Sequence, residues 1–128
     1  MPDFRKLRVW QAAEELAIHA YRVTQSMRGA RSATISDQVI RAAMSVPTNI
    51  VEGNAHTSPR ERARYLGYAL ASVWEVEGHI QLSNDLRMIA RKDHDALLEE
   101  IVNVRKMLYG LLKKVRTWDK PKLPTRVA

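Results

Sequence analysis

The stretch LLEEIVNVRKMLYGLLKKV, residues 97–115, places apolar side chains alternately four and three residues apart. This spacing keeps them on one side of an α-helix, as in the seam of a helical bundle. The stretch ends in basic residues, which favour the negative end of the helix dipole. The pattern predicts a helix that packs on other helices through Leu97, Ile101, Val104, Leu108, Leu111 and Val115.

Three stretches upstream repeat apolar residues with the same helical period. The four together predict helices over about 7–28, 35–52, 59–87 and 94–115. Their short connections make successive helices antiparallel neighbours, and no strand-like alternation interrupts them. The sequence therefore predicts an all-α protein, an antiparallel up-down-up-down four-helix bundle over residues 1–116. A basic, proline-containing tail follows over 117–128.

A few residues define the expected helix ends. Hydroxyl or carboxylate side chains that can cap free backbone amides precede the last three helices: Thr34, Ser58 and Asp93. Pro59 and Glu61 complete the N-terminal signature of the third helix. Gly53 is expected to stop the second helix after residue 52.

The composition excludes several classes of protein. The 128 residues contain no cysteine, which excludes disulfide scaffolds, thiolate zinc sites and cysteine nucleophiles. No apolar run approaches the ~20 residues of a membrane-spanning helix, and the N-terminus lacks the apolar core of a secretory signal. We therefore expect a cytoplasmic protein with no membrane partner. Because no phosphate-binding loop or nucleophile elbow is present, we also expect no enzyme activity and no cofactor.

Two glutamate–histidine pairs, Glu15/His19 and Glu75/His79, resemble the Glu-x-x-His pairs of di-iron bundles. Both pairs are one residue longer, and no complete set of carboxylates accompanies them. We therefore interpret each pair as an ion pair on a helix surface and predict no metal site.

The net charge of +7 is concentrated at the two ends of the chain. Residues 1–8 carry +2 and residues 113–128 carry +5, whereas residues 9–112 hold 12 basic and 12 acidic side chains. Basic termini commonly contact phosphates, although they can also serve only to keep a protein soluble. Trp118 could stack on an unpaired base or pack the tail onto the bundle. The candidate phosphate contacts are Arg5, Lys6, Arg8, Lys113, Lys114, Arg116, Lys120, Lys122 and Arg126.

The last two helices carry more apolar surface than one stripe each. Gly67 and Gly78 in the third helix would also let another backbone approach closely. Excess apolar surface on a soluble chain indicates a partner, most simply copies of itself, unless a small bundle uses wide apolar stripes. The additional apolar residues are Tyr65, Tyr68, Leu70, Trp74, Leu98, Val102, Tyr109 and Leu112.

A polar stripe runs along the second helix, with Glu75 of the third helix as a partner for Arg41. Such a row can form a buried or interfacial hydrogen-bond network that fixes helix register, or it can bind a ligand. The predicted network consists of Gln38, Arg41, Ser45, Asn49, Glu52 and Glu75.

The stretch QVIRAAMSVPTNIVEG, residues 38–53, resembles the signature of a bacterial four-helix-bundle protein family. This family was first noted in reading frames inside intervening sequences of large-subunit ribosomal RNA genes. The connection at residues 27–32 departs from the family, which usually has a phenylalanine–proline step and an acidic residue there. Further agreement comes from Phe4, Trp10 to Ala13, the Ser58/Glu61 cap, and Ala69 to Ser72 with Glu75.

The resemblance implies a bundle that assembles as a ring, with homopentamers as the precedent. It also implies a fold similar to the accessory variability proteins of diversity-generating retroelements, which are basic pentamers that bind nucleic acid and a reverse transcriptase. The family itself has no established activity.

Two functions remain open from the sequence. The first is an oligomeric, non-enzymatic accessory protein that binds RNA or DNA through its basic termini. The second is a protein-interaction scaffold with a polypeptide partner and no nucleic-acid role.

Overall fold

The computed structural model describes residues 3–118, apart from the side chain of Trp118. A short 3-10 helix, Phe4–Lys6, precedes four α-helices: α1 (Arg8–Gln25), α2 (Ser32–Ala55), α3 (Pro59–Asp85) and α4 (Arg91–Trp118). The described residues form no strand, so this part of the chain is all-α, as predicted. Each helix contacts the next, and α1 also contacts α4, which is the arrangement of a four-helix bundle.

The apolar stripes of the four helices meet in one core. Leu16 of α1 and Leu97 and Leu108 of α4 are completely enclosed, at 0% exposure. Burying a leucine side chain contributes about 1.5–3 kcal/mol relative to leaving it exposed. In the last turns of α4, Leu112 is buried and the predicted Leu111 is only half-buried. Within residues 3–118, no helix is both long enough and apolar enough to span a membrane.

The connection between α1 and α2 turns through two residues with positive φ, Gly29 at 107° and Arg31 at 66°. Helix α2 begins at Ser32, before Thr34, so the prediction that Thr34 caps this helix is wrong. The amides of Ser32 and Thr34 instead donate to the carbonyl oxygens of Gly29 and Arg31, at 3.3 and 3.1 Å. Backbone carbonyl oxygens of the turn therefore accept the hydrogen bonds that were expected to go to the Thr34 hydroxyl.

The second helix continues past the predicted stop at Glu52 and ends at Ala55. Gly53 stays helical in a place where α3 passes close to α2. A Cβ atom added to Gly53 would lie 3.4 Å from both the Arg62 carbonyl oxygen and the Tyr65 Cβ atom. This glycine therefore permits a close helix–helix contact instead of ending the helix.

The start of α3 follows its sequence signature in part. Pro59 is the first helical residue, and the Ser58 hydroxyl accepts a hydrogen bond from the Glu61 amide at 3.4 Å. The Glu61 carboxylate does not return to Ser58 but pairs with Arg64 at 3.3 Å. The serine cap is present, and the reciprocal half of the capping box is replaced by an ion pair.

The fourth helix is longer than predicted at both ends. It begins at Arg91, two residues before the predicted cap Asp93, which lies in the first turn and still complements the positive end of the helix. It continues to Trp118, into the beginning of the predicted tail. The remainder of that tail, residues 119–128, lies outside the described residues.

A buried histidine joins α3 to the start of α4. The two ring nitrogens of His94 lie 3.2 Å from the Gln81 side-chain oxygen and 2.8 Å from the Asp95 carboxylate. The hydrogen bond with His94, assisted by Arg91, holds the pKa of Asp95 below its ordinary value.

The bundle covers part of the additional apolar surface predicted for α3 and α4. Tyr65, Leu70, Leu98 and Val102 are half-buried. Three large side chains of these second faces remain about half exposed: Tyr68, Trp74 and Tyr109.

Candidate nucleic-acid interface

Four helix termini meet at one end of the bundle. Helices α1 and α3 start there, and α2 and α4 end there, because successive helices are antiparallel. We call this end, residues 3–8, 52–64 and 113–118, the basic end. A cleft of about 160 Å³ at the basic end is lined by residues from each of these termini: Leu7, Gly53, Asn54, Arg62 and Val115.

The charges of the described residues are unevenly distributed along the bundle axis. The basic end holds nine basic and three acidic side chains, a net charge of +6. The opposite end, residues 22–37 and 85–95, holds six basic and four acidic side chains, a net charge of +2. The remaining described residues, which form the middle of the bundle, are 9–21, 38–51, 65–84 and 96–112. They hold three basic and six acidic side chains, a net charge of −3. The fold therefore concentrates positive potential at one end.

Six of the predicted phosphate contacts lie within the described residues. All six are at the basic end and are exposed: Arg5, Lys6, Arg8, Lys113, Lys114 and Arg116. Arg5 is engaged by Asp3 at 3.2 Å. Lys6, Arg8 and Lys114 line an open groove between the start of α1 and the end of α4. The other three nominated cations, Lys120, Lys122 and Arg126, lie outside the described residues.

Three further arginines, Arg60, Arg62 and Arg64, join the basic end from the first two turns of α3. Sequence reasoning missed them because they belong to a segment whose charges sum to zero. The signal that could have found them is the Ser58 cap, which places them beside the chain termini in an antiparallel bundle. The Arg62 Nε atom donates to the His56 carbonyl oxygen at 2.6 Å, which ties the end of α2 to α3.

An aromatic cluster surrounds Arg64. Its Nε atom donates to the Tyr68 hydroxyl at 3.1 Å, and its guanidinium lies 5.4 Å from the Tyr65 ring centre and 5.7 Å from that of Tyr68. The hydrogen bond to Tyr68, with a further contribution from Glu61, raises the pKa of Arg64 above its ordinary value. The His56 ring stacks on Tyr65 at 5.0 Å. A permanent cation and three rings thus lie side by side.

The polar stripe of α2 forms a smaller network than predicted. The Ser45 and Ser72 hydroxyls are hydrogen-bonded at 2.8 Å, which joins α2 to α3. The side-chain amide of Asn49 donates to the carbonyl and hydroxyl oxygens of Ser45, at 2.8 and 2.9 Å. These bonds support the register of the two helices.

The other members of the predicted network, Gln38, Arg41, Glu52 and Glu75, are exposed. Among the described residues, Arg41 and Glu75 form no ion pair with each other. An interfacial role for these four residues remains a prediction.

The first glutamate–histidine pair does not form as interpreted from the sequence. His19 Nδ1 lies 3.1 Å from a carboxylate oxygen of Glu100, across the α1–α4 contact, and within the described residues it forms no ion pair with Glu15. The surface-pair interpretation is therefore wrong for His19, because α1 turns this side chain toward α4. Within residues 3–118, no group of three or more histidine, aspartate or glutamate side chains is arranged to hold a metal ion.

These features define a class of protein, an all-α four-helix protein with a polarised charge distribution. The family model described as 23S rRNA-intervening sequence protein matches residues 5–110, and the chain belongs to that family. This match confirms the family resemblance that residues 38–53 of the second helix indicate.

A crystal structure of a protein of unknown function from the S23 ribosomal protein family of Bacteroides thetaiotaomicron has a similar fold, with a TM-score of 0.75. The two chains are 20% identical, and the match covers 82% of this chain and 98% of that one. At this identity the likeness concerns the fold alone. No match was found among curated proteins. Neither similarity indicates an enzyme family.

Proposed function

We propose that this protein is a non-enzymatic accessory protein that assembles from copies of itself and binds RNA or DNA through the basic end. The observation that carries the proposal is the net charge of +6 gathered at one end of the bundle. A cationic surface that neutralises several phosphates releases condensed counterions, which favours non-specific binding of nucleic acid.

The arginines at the start of α3 support the same proposal. A helix N-terminus carries partial positive charge, so cations close to it are unfavourable when no anion compensates. The first two turns of α3 nevertheless contain Arg60, Arg62 and Arg64 against one acidic residue, Glu61. Departures from local preference of this kind are expected at functional sites, and a bound phosphate would relieve the repulsion.

Self-assembly is proposed through the outer face of α3 and α4. Trp74 is exposed there, with the Arg105 guanidinium 4.0 Å from its ring centre, and Tyr109 lies one helical turn from Arg105. A Cβ atom added to Gly67 or Gly78 of α3 would meet no atom of a neighbouring helix within 4 Å, so this side of α3 has room for another chain. A homopentameric ring is the proposed assembly, because homopentamers are the precedent that the family resemblance implies. Several basic ends acting together would also multiply weak phosphate contacts.

Sedimentation at micromolar protein concentration tests the assembly. We expect a single species of about five times the 14.7 kDa chain mass. A monodisperse species at the mass of one chain would reject self-assembly and leave the charge argument in place.

Binding curves against single-stranded RNA and duplex DNA test the proposed function directly. For six or more phosphate contacts, affinity should fall by about a thousandfold between about 50 and 200 mM salt. The physical reason is that added salt removes the entropy gain of counterion release. Absence of binding at the lower salt concentration would reject the proposal.

A protein-interaction scaffold is the second candidate. Leu82 and Leu86 favour it, because both are about half exposed and lie one turn apart, towards the opposite end of the bundle. A polypeptide partner held by such apolar contacts would bind with little dependence on salt, in contrast to the nucleic-acid proposal.

A further inference from the structure

We infer that the aromatic cluster beside the basic end, His56, Arg64, Tyr65 and Tyr68, is a stacking site for unpaired bases of a single-stranded nucleic acid. The inference rests on the proposed function and adds to it a preference for single strands. The basic end alone would attract any polyanion, whereas ring faces distinguish ligands that have exposed bases.

The first step is the accessibility of the rings. Tyr68 is 48% exposed, whereas Tyr65, which contacts it, and His56, which stacks on Tyr65, are half-buried. The rings of Tyr68 and Tyr65 meet edge to face, with centres 5.7 Å apart and planes at 89°. Tyr68 therefore packs against the half-buried Tyr65 ring and leaves about half of its own surface open to solvent.

The second step is the rigidity of the site. Arg64 donates to the Tyr68 hydroxyl at 3.1 Å and pairs with Glu61 at 3.3 Å, which restrains the Tyr68 ring before any ligand arrives. A restrained ring loses less side-chain entropy when a base stacks on it. The guanidinium also offers a second flat, charged surface for a base or a phosphate.

The third step is the chemistry of the ligand. A single strand presents base faces and phosphates close together, which matches rings beside the Arg64 cation. In a duplex the base faces are covered by their neighbours, so only the phosphates could contact this surface. An acidic peptide would satisfy the charge but leave the ring faces unused. The combination of rings and charge therefore favours a single strand.

The experiment measures the affinities of the full chain for three ligands of equal length: a single-stranded oligothymidylate, a single strand of abasic sugar-phosphate, and a DNA duplex. Tyr68→Ala removes the exposed ring, and Tyr68→Phe keeps the ring but loses the hydroxyl. Tyr21→Ala is the matched control, because Tyr21 is 51% exposed near the opposite end of the bundle.

We expect Tyr68→Ala to weaken oligothymidylate binding by at least about fivefold, since base–aromatic stacking is lost. Its affinities for the abasic strand and the duplex should change by less than about twofold, because phosphate contacts persist. Tyr21→Ala should keep the wild-type affinity for oligothymidylate, and Tyr68→Phe, which keeps the ring but loses the restraint from Arg64, should weaken it by less than Tyr68→Ala does.

Two results would overturn the inference without touching the proposed function. In the first, Tyr68→Ala binds all three ligands like the wild type or weakens all three equally. In the second, Tyr68→Ala changes the sedimenting mass, which would assign the ring to self-assembly. If the wild-type protein binds none of the three ligands at low salt, the proposed function fails and the inference fails with it.

Discussion

Replacing Lys113, Lys114 and Arg116 together with glutamine should weaken nucleic-acid binding about a hundredfold or more at about 0.1 M salt. All three are exposed on the last turns of α4, at the basic end. On duplex DNA, each lost phosphate contact also makes the negative slope of log affinity against log salt less steep by about 0.9. Fluorescence anisotropy over a series of salt concentrations measures both changes, and circular dichroism checks that the helices are retained.

The matched control places the same change of charge at the opposite end. Arg28, Arg31 and Lys92 are also exposed, and replacing them with glutamine lowers the net charge by the same three units. We expect this variant to keep most of the wild-type affinity and salt slope. Equal losses in the two triple variants would show that total charge matters and the basic end does not.

The substitution Leu108→Ala should lower the free energy of unfolding by about 2–5 kcal/mol. Leu108 is completely enclosed in the core, so the shorter side chain leaves a cavity and loses its burial energy. Chemical denaturation at one fixed protein concentration measures the change, because assembly would make stability depend on concentration.

Leu82→Ala removes the same atoms from a leucine that is 49% exposed on α3. We expect a loss of less than about 1 kcal/mol. A cost equal to that of Leu108→Ala would contradict the assignment of Leu108 to the core and of Leu82 to the surface.

The four helices could be predicted from the sequence because each repeats apolar residues with a helical period over many turns. The end of α4 shows the limit of that pattern. An alternation of four and three residues averages 3.5 per turn, whereas a straight helix has about 3.6, so the buried stripe drifts around the helix. After Leu108 the drift brings Leu112, instead of Leu111, into the core.

Helix ends were harder to predict, because backbone atoms can replace the side chains that mark them. Thr34 has the chemistry of a cap, but the carbonyl oxygens of Gly29 and Arg31 satisfy the amides at the start of α2. Gly53 has the chemistry of a stop, yet its missing side chain serves the contact with α3. The choice between these roles depends on tertiary packing, which is absent from a local pattern.

The candidate site could be predicted only in part. The basic termini are visible as runs of charge, whereas Arg60, Arg62 and Arg64 are compensated in sequence by distant acidic residues. Their contribution depends on the antiparallel order of the helices, which separates them from the acidic middle of the bundle. The aromatic cluster was missed because it joins His56, after α2, to residues one helical turn apart on α3.

The most direct measurement is ultraviolet cross-linking of the full chain to single-stranded RNA at low salt, followed by mass spectrometry of the linked peptides. Binding through the basic end and the adjoining aromatic cluster predicts cross-links in peptides that contain residues 3–8, 52–68 and 113–118. Cross-links concentrated in peptides from residues 22–37 and 85–95, at the opposite end of the bundle, would contradict it.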